Sequence, residues 1–158
     1  MTTYLDTNAF YFFFFEDEKY SQGIKRFFSQ MHAGEKTGVT STLTLDELSY
    51  VVLLRLIERK YKKHPLDVLR NSRQAILEFM RQIQQMFDVI FSLNNLALVD
   101  ANTSSIAMIP TTMEKYLLLP RDALHFITAK NTGCTEILTT DSDFDNIQGL
   151  RKVDPAKM

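Results

Sequence analysis

The sequence predicts an α/β fold in which a mostly parallel sheet is covered by helices on both faces. Short apolar or β-branched runs alternate with stretches of helical periodicity along the whole chain, the pattern of a parallel sheet with crossover helices. Two of those runs end abruptly on an aspartate. The composition, 45% hydrophobic and 23% charged with 5 Gly and 4 Pro, is that of a folded globular protein. At 158 residues it fits one domain, 1–158.

Thr3-Tyr4-Leu5 reads as a buried strand that stops at Asp6-Thr7-Asn8, residues that favour turns and helix caps. From Asp17 to His32 the apolar residues Tyr20, Ile24, Phe27, Phe28 and Met31 recur at helical spacing, and Gly34 lies where that helix would stop. Gly38-Val39-Thr40 is a second strand. Thr44-Leu45-Asp46-Glu47 has capping-box spacing, which predicts a helix opening at Thr44 and running towards Lys60.

Pro65 opens a further helical region, with Ile76, Phe79, Met80, Ile83, Met86, Phe87 and Ile90 as its apolar stripe. Leu96 to Val99 is a third strand, and Thr103 to Tyr116 a helix that Pro110 kinks or splits. Pro120 suits a first helical position, with Asp122 in the first turn and Gly133 as the stop. Ile137-Leu138-Thr139 is the clearest strand and runs straight into Asp141-Ser142-Asp143-Phe144-Asp145, while Arg151-Lys152-Val153 adds an edge strand before Pro155.

In such a sheet ligands bind beyond the carboxyl ends of the strands. Asp6 and Asp141 follow strands and Glu47 and Asp122 open helices, so all four point to one rim. Crowded carboxylates repel, so a cluster of four is reasonable chiefly around a divalent cation, and without one at least one pKa should be raised. Oxygen-only ligation selects Mg2+ or Mn2+ over zinc. Such an ion can bind a phosphate oxygen and activate water, the chemistry of phosphodiester hydrolysis.

The ordered set Tyr4-Leu5-Asp6-Thr7-Asn8, Leu45-Asp46-Glu47-Leu48, Arg121-Asp122-Ala123-Leu124-His125 and Leu138-Thr139-Thr140-Asp141-Ser142-Asp143-Phe144 resembles the PIN-domain family over nearly the whole chain. The resemblance implies a three-layer α/β/α sandwich and a ribonuclease that prefers single strands. It also implies that Asp6, Glu47, Asp122 and Asp141 are metal-site and catalytic acids, that Asp143 is a fifth ligand, and that Thr7 or Asn8 supports them. Compact members of this kind, similar to VapC, are often toxins of toxin–antitoxin pairs, which adds an antitoxin protein to RNA as an expected partner.

Bland readings stand beside these. Asp6 and Asn8 can cap a helix, Glu47 can close a capping box, and Asp122 can offset a helix's positive end. His32, His64 and His125 have no metal-ligand spacing and stay outside the site. The stretch Arg55, Arg59, Lys60, Lys62, Lys63 is either a phosphate contact or a solvated helix end, and Arg121 is better placed to meet a phosphate. The alternatives to a toxin are a housekeeping RNA-processing nuclease and a silent module that only holds RNA or protein.

Eighteen basic against nineteen acidic residues, a formal charge of −1, exclude binding of nucleic acid by net charge alone, so a local patch must serve. A single cysteine, Cys134, excludes an intrachain disulfide and suits a reducing cytoplasm. The six aromatics Phe10 to Phe15 are too few to span a membrane and too many to hide in one small core, which predicts a homodimer or partner surface.

Overall fold

The structure is a computed structural model that describes residues 2–158. Five strands form one sheet in the order β3-β2-β1-β4-β5, and every pairing is parallel. The strands are β1 (Thr2–Leu5), β2 (Thr37–Ser41), β3 (Leu96–Val99), β4 (Glu136–Leu138) and β5 (Arg151–Val153). Consecutive strands step outward from β1 to β3, then the chain crosses back to place β4 on the other side of β1. That reversal lies between β1 and β4, where open parallel sheets leave a crevice for ligands.

The chain divides into two compact units, one made of the chain up to Leu45 and from Asn94 onward, the other of Asp46–Leu93. The first unit contains the sheet with α1 (Thr7–Phe14), α2 (Ser21–His32), α6 (Thr103–Ala107), α7 (Ile109–Tyr116) and α8 (Pro120–Asn131). The second contains most of α3 (Thr42–Tyr61), with α4 (Pro65–Asn71), a 3₁₀ stretch Arg73–Phe79 and α5 (Met80–Phe91). The expected α/β sandwich with a parallel sheet flanked by helices is thus the observed fold. No helix among the described residues is long and apolar enough to cross a membrane.

The first unit's core joins Tyr4, Val39, Ala123, Phe126, Ile137 and Phe144, with Tyr116 and Ile147 packed at its margin. Burial of each large apolar side chain stabilises by about 1.5–3 kcal/mol, so this cluster is what clamps α8 onto the sheet. The second unit has its own cluster, Ile57, Val68, Leu69, Ala75 and Phe79. Gly23 on α2 permits a close approach that nothing larger allows, since a Cβ there would lie 2.0 Å from the carbonyl oxygen of Pro155.

Several expectations need correction. The helix expected from Thr44 begins at Thr42, directly after β2, because Ser41 already supplies the cap: its Oγ accepts the Thr44 N–H at 3.3 Å. Glu47 therefore stands in the second turn of α3. The helix expected from Asp17 begins at Ser21, since Asp17 instead accepts the N–H groups of Lys19 and Tyr20 in a turn. The region after Pro65 is broken at Ser72, which is extended (φ −150°), and continues as 3₁₀ before α5.

Pro110 divides the next helix as expected, and Leu117 ends it in the left-handed region at φ 56°. The aromatic run is not a bare surface. It forms α1, where Phe10 is buried and Tyr11 to Phe15 are half-buried, because the rings cover one another. Tyr11 stacks on Phe15 at 5.0 Å, Phe13 meets Phe28 at 4.6 Å and Phe12 meets Tyr20 at 4.8 Å.

Candidate active site

β1 delivers Asp6 to the carboxyl rim of the sheet. The Asp6 N–H bonds the Leu138 carbonyl at 3.3 Å, so its backbone is still tied to β4. Its carboxylate, 6% exposed, caps α1: Oδ1 accepts the Thr7 N–H at 2.6 Å, while Oδ2 accepts the Thr139 hydroxyl at 2.6 Å and faces Asn8 Nδ2 at 3.5 Å. Three residue types that capping alone would explain are here arranged around one carboxylate.

Asp122 enters from the first turn of α8, whose Pro120 sets the entry of the helix. Asp141 leaves β4 and caps the 3₁₀ turn Ser142–Phe144, accepting the Asp143 N–H at 2.9 Å. Asp122, Asp141 and Asp143 come together, with one carboxylate oxygen of each within 4.8 Å of the others. Burial, followed by the charge of Asp141, lifts the Asp122 carboxyl from its ordinary 3.8 to about 6; Asp143 and Asp6 add to the rise and His125 opposes it. Burial and neighbouring like charges both disfavour the ionised form of a carboxyl.

Asp145, left outside the expected set, points elsewhere and pairs with Lys152 at 2.6 Å. Arg121 is exposed beside Asp122 on α8. Glu47 is half-buried on α3, within the second unit. Of the basic stretch, Arg55 pairs with Glu58 and Lys60 with Glu78 on that unit's surface.

Two features of the rim escape a reading of the sequence. Thr139 closes on Asp6 from 133 residues away. His125, excluded for want of ligand spacing, is 2% exposed and places Nε2 3.6 Å from Asp6 Oδ1. The available signal was its place three residues after Asp122, which puts both on one face of α8.

The PIN domain family model matches residues 3–150, and the chain belongs to that family. No curated sequence matches closely enough to count as a relative. Among solved structures, VapBC2 from Rickettsia felis bound to a promoter DNA fragment is similar, with a TM-score of 0.60 at 18% identity, over 97% of this chain and 98% of that one. FitAcB from Neisseria gonorrhoeae matches over 100% of both chains with a TM-score of 0.58 at 16% identity. VapC20 from Mycobacterium tuberculosis, a sarcin–ricin loop cleaving toxin, has a TM-score of 0.58 at 14% identity, covering 90% and 92%. Likenesses at such identity speak for the fold.

Proposed function

We propose that this chain is an endoribonuclease dependent on Mg2+ or Mn2+, and that it is the toxin of a toxin–antitoxin pair. The observation that carries the proposal is the convergence of Asp122, Asp141 and Asp143 beside Asp6 at the switch point of a parallel sheet, with Asp122 driven to about 6 by burial and by its neighbours' charge. An all-oxygen donor set with excess negative charge fits a hard divalent cation.

Asp122, Asp141 and Asp143 would hold the ion, with Asp6 adjoining them. Glu47, one turn along α3 from Thr44, is included on the family resemblance, and residues 1–158 then act as one nuclease domain. A bound Mg2+ or Mn2+ supplies Lewis acidity toward a phosphate oxygen and lowers the pKa of water. The protein's part is positional. Thr7, Asn8 and Thr139 fix the Asp6 carboxylate, Asp141 is held by its own turn, and Asp122 gives up its proton on loading, so metal binding weakens as pH falls below about 6. The exposed Arg121 is placed to meet a phosphate of the substrate strand.

The toxin reading is supported by the folds this chain shares, several of which were solved as toxin–antitoxin complexes. An antitoxin and a second copy of the chain are the expected protein partners. Incubation of single-stranded RNA with purified protein in Mg2+, Mn2+ or EDTA tests the proposal: cleavage with either ion, abolished by EDTA, is expected, and intact RNA in all three would refute it.

A further inference from the structure

The positive charge of this chain is concentrated in one part of it. Residues 46–93, the second unit, carry eight Lys or Arg against six Asp or Glu, while the rest carries ten against thirteen. Five of the eight fall between Arg55 and Lys63, where Glu58 is the one acid. A formal charge of −1 hides this asymmetry, and a local surplus of cations is what a phosphate backbone requires.

Two of the five are already neutralised. Arg55 pairs with Glu58 at 2.9 Å, and Lys60 reaches Glu78 of the 3₁₀ stretch at 2.5 Å. The Tyr61 hydroxyl donates to the same carboxylate at 2.8 Å, so that side of α3 is committed to the unit's own packing. Arg59, Lys62 and Lys63 are exposed and make no ion pair among the described residues. At about 100° per residue, Arg59 and Lys62 stand about 140–160° around the helix from the buried Ile57, on the face turned away from the core.

Helix capping accounts for only part of this. Cations in the last turn of a helix offset its negative end, which suffices for Arg59 and Lys60. α3 ends at Tyr61, and Lys62 and Lys63 lie beyond it, with Lys62 in the left-handed region at φ 52°, a position that glycine fills without strain. Arg59 and Lys62, three residues apart, repel one another with no acid to relieve them. Such a patch fits nucleic acid better than protein. Protein interfaces centre on apolar and aromatic anchors and are depleted in lysine, whereas nucleic-acid interfaces are polar and strongly positive. The one aromatic between Arg59 and Lys63 is Tyr61, which is bonded to Glu78.

We propose that Arg59, Lys62 and Lys63 form a binding site for the phosphate backbone of a single-stranded nucleic acid, and that the strand is RNA. The choice of RNA rests on the nuclease reading; the phosphate contact does not.

Fluorescence anisotropy of one labelled single-stranded RNA, in EDTA so that nothing is cut, measures affinity from about 50 to about 200 mM KCl. The parent is compared with Arg59→Gln/Lys62→Gln/Lys63→Gln, with the pair Lys62→Gln/Lys63→Gln, whose sites lie outside any helix, and with Lys19→Gln/Arg26→Gln/Lys115→Gln, which removes the same charge from the other unit. Folding of each is checked by circular dichroism. Each phosphate contact with a single strand contributes about 0.7 to the slope of log affinity against log salt. The triple variant of the patch should therefore flatten that slope by about 2 and bind about 10–100-fold more weakly near 0.1 M, and the pair should lose about two-thirds as much slope. Lys19→Gln/Arg26→Gln/Lys115→Gln should match the parent, and single-stranded DNA of the same sequence should lose slope as RNA does, because phosphates are what the patch meets.

A parent-like slope in either folded patch variant, an equal loss on removing the charges of the other unit, or a loss seen with RNA and not with DNA would overturn the proposal. Polyglutamate bound as tightly as RNA of equal charge would overturn it in favour of an acidic protein partner. A parent that holds RNA through these residues but leaves it uncut in Mg2+ and in Mn2+ sinks the nuclease reading instead, and leaves the phosphate site upheld.

Discussion

Replacing Asp122 by Asn should stabilise the metal-free protein near neutral pH, against the usual cost of altering a site residue. The folded-state pKa of about 6 stands above the ordinary 3.8, so between those values the native state binds more protons than the unfolded chain. Stability from this group is therefore complete below about pH 4 and is lost as pH rises through 6. The full separation corresponds to at most about 3 kcal/mol, and solvent reaching this half-buried carboxyl reduces that to about 1–2 kcal/mol. Loss of a negative charge at the start of α8 opposes it by about 0.3–1 kcal/mol, which is the smaller effect. For a chain of this length a net gain near 1 kcal/mol raises Tm by about 2–4 °C. Thermal melts in EDTA at constant ionic strength, from pH 4 to 8, should show parent and Asp122→Asn close together at pH 4 and the variant higher at pH 7. Parallel pH profiles, or a variant that melts lower at pH 7, would refute the reasoning.

Mg2+ or Mn2+ should reverse that order, stabilising the parent by about 2.7 kcal/mol at a hundred times its dissociation constant and Asp122→Asn by clearly less, as melts across a metal titration would read. Thr139→Val should cost about 1–3 kcal/mol by leaving a buried Asp6 oxygen unsatisfied and should cut RNA cleavage about 10–100-fold, measured by urea unfolding and single-turnover cleavage. Gly23→Ala should destabilise by about 1–3 kcal/mol in urea unfolding, because the added methyl meets the Pro155 carbonyl. The protein should be a homodimer by light scattering, and Phe12→Asp or Phe14→Asp should shift it toward monomer; a parent that is monomeric at high concentration contradicts this.

What could be seen in the sequence was what is local. Thr3-Tyr4-Leu5 and Ile137-Leu138 announce buried strands because short β-branched and apolar runs bounded by turn residues have few other uses, and each leads into an aspartate. Pro110 and Pro120 marked their helices because proline's missing N–H restricts where it can sit. The errors came from local signals with more than one solution. Ser41 and Thr44 both can cap α3, and only the end of β2 decides for Ser41. Over the seven residues Arg73–Phe79, repeats of three and of 3.6 residues are too alike for the apolar pattern to separate 3₁₀ from α. Thr139 and His125 were silent because both meet Asp6 from far along the chain, Thr139 from 133 residues away.

The most direct measurement is single-turnover cleavage of one end-labelled single-stranded RNA by the parent and by Asp141→Asn, purified side by side, in Mn2+ and in EDTA. Defined cuts by the parent with Mn2+ alone are expected, and none by a folded Asp141→Asn under either condition. Equal cleavage by both proteins, or by the parent in EDTA, would contradict it.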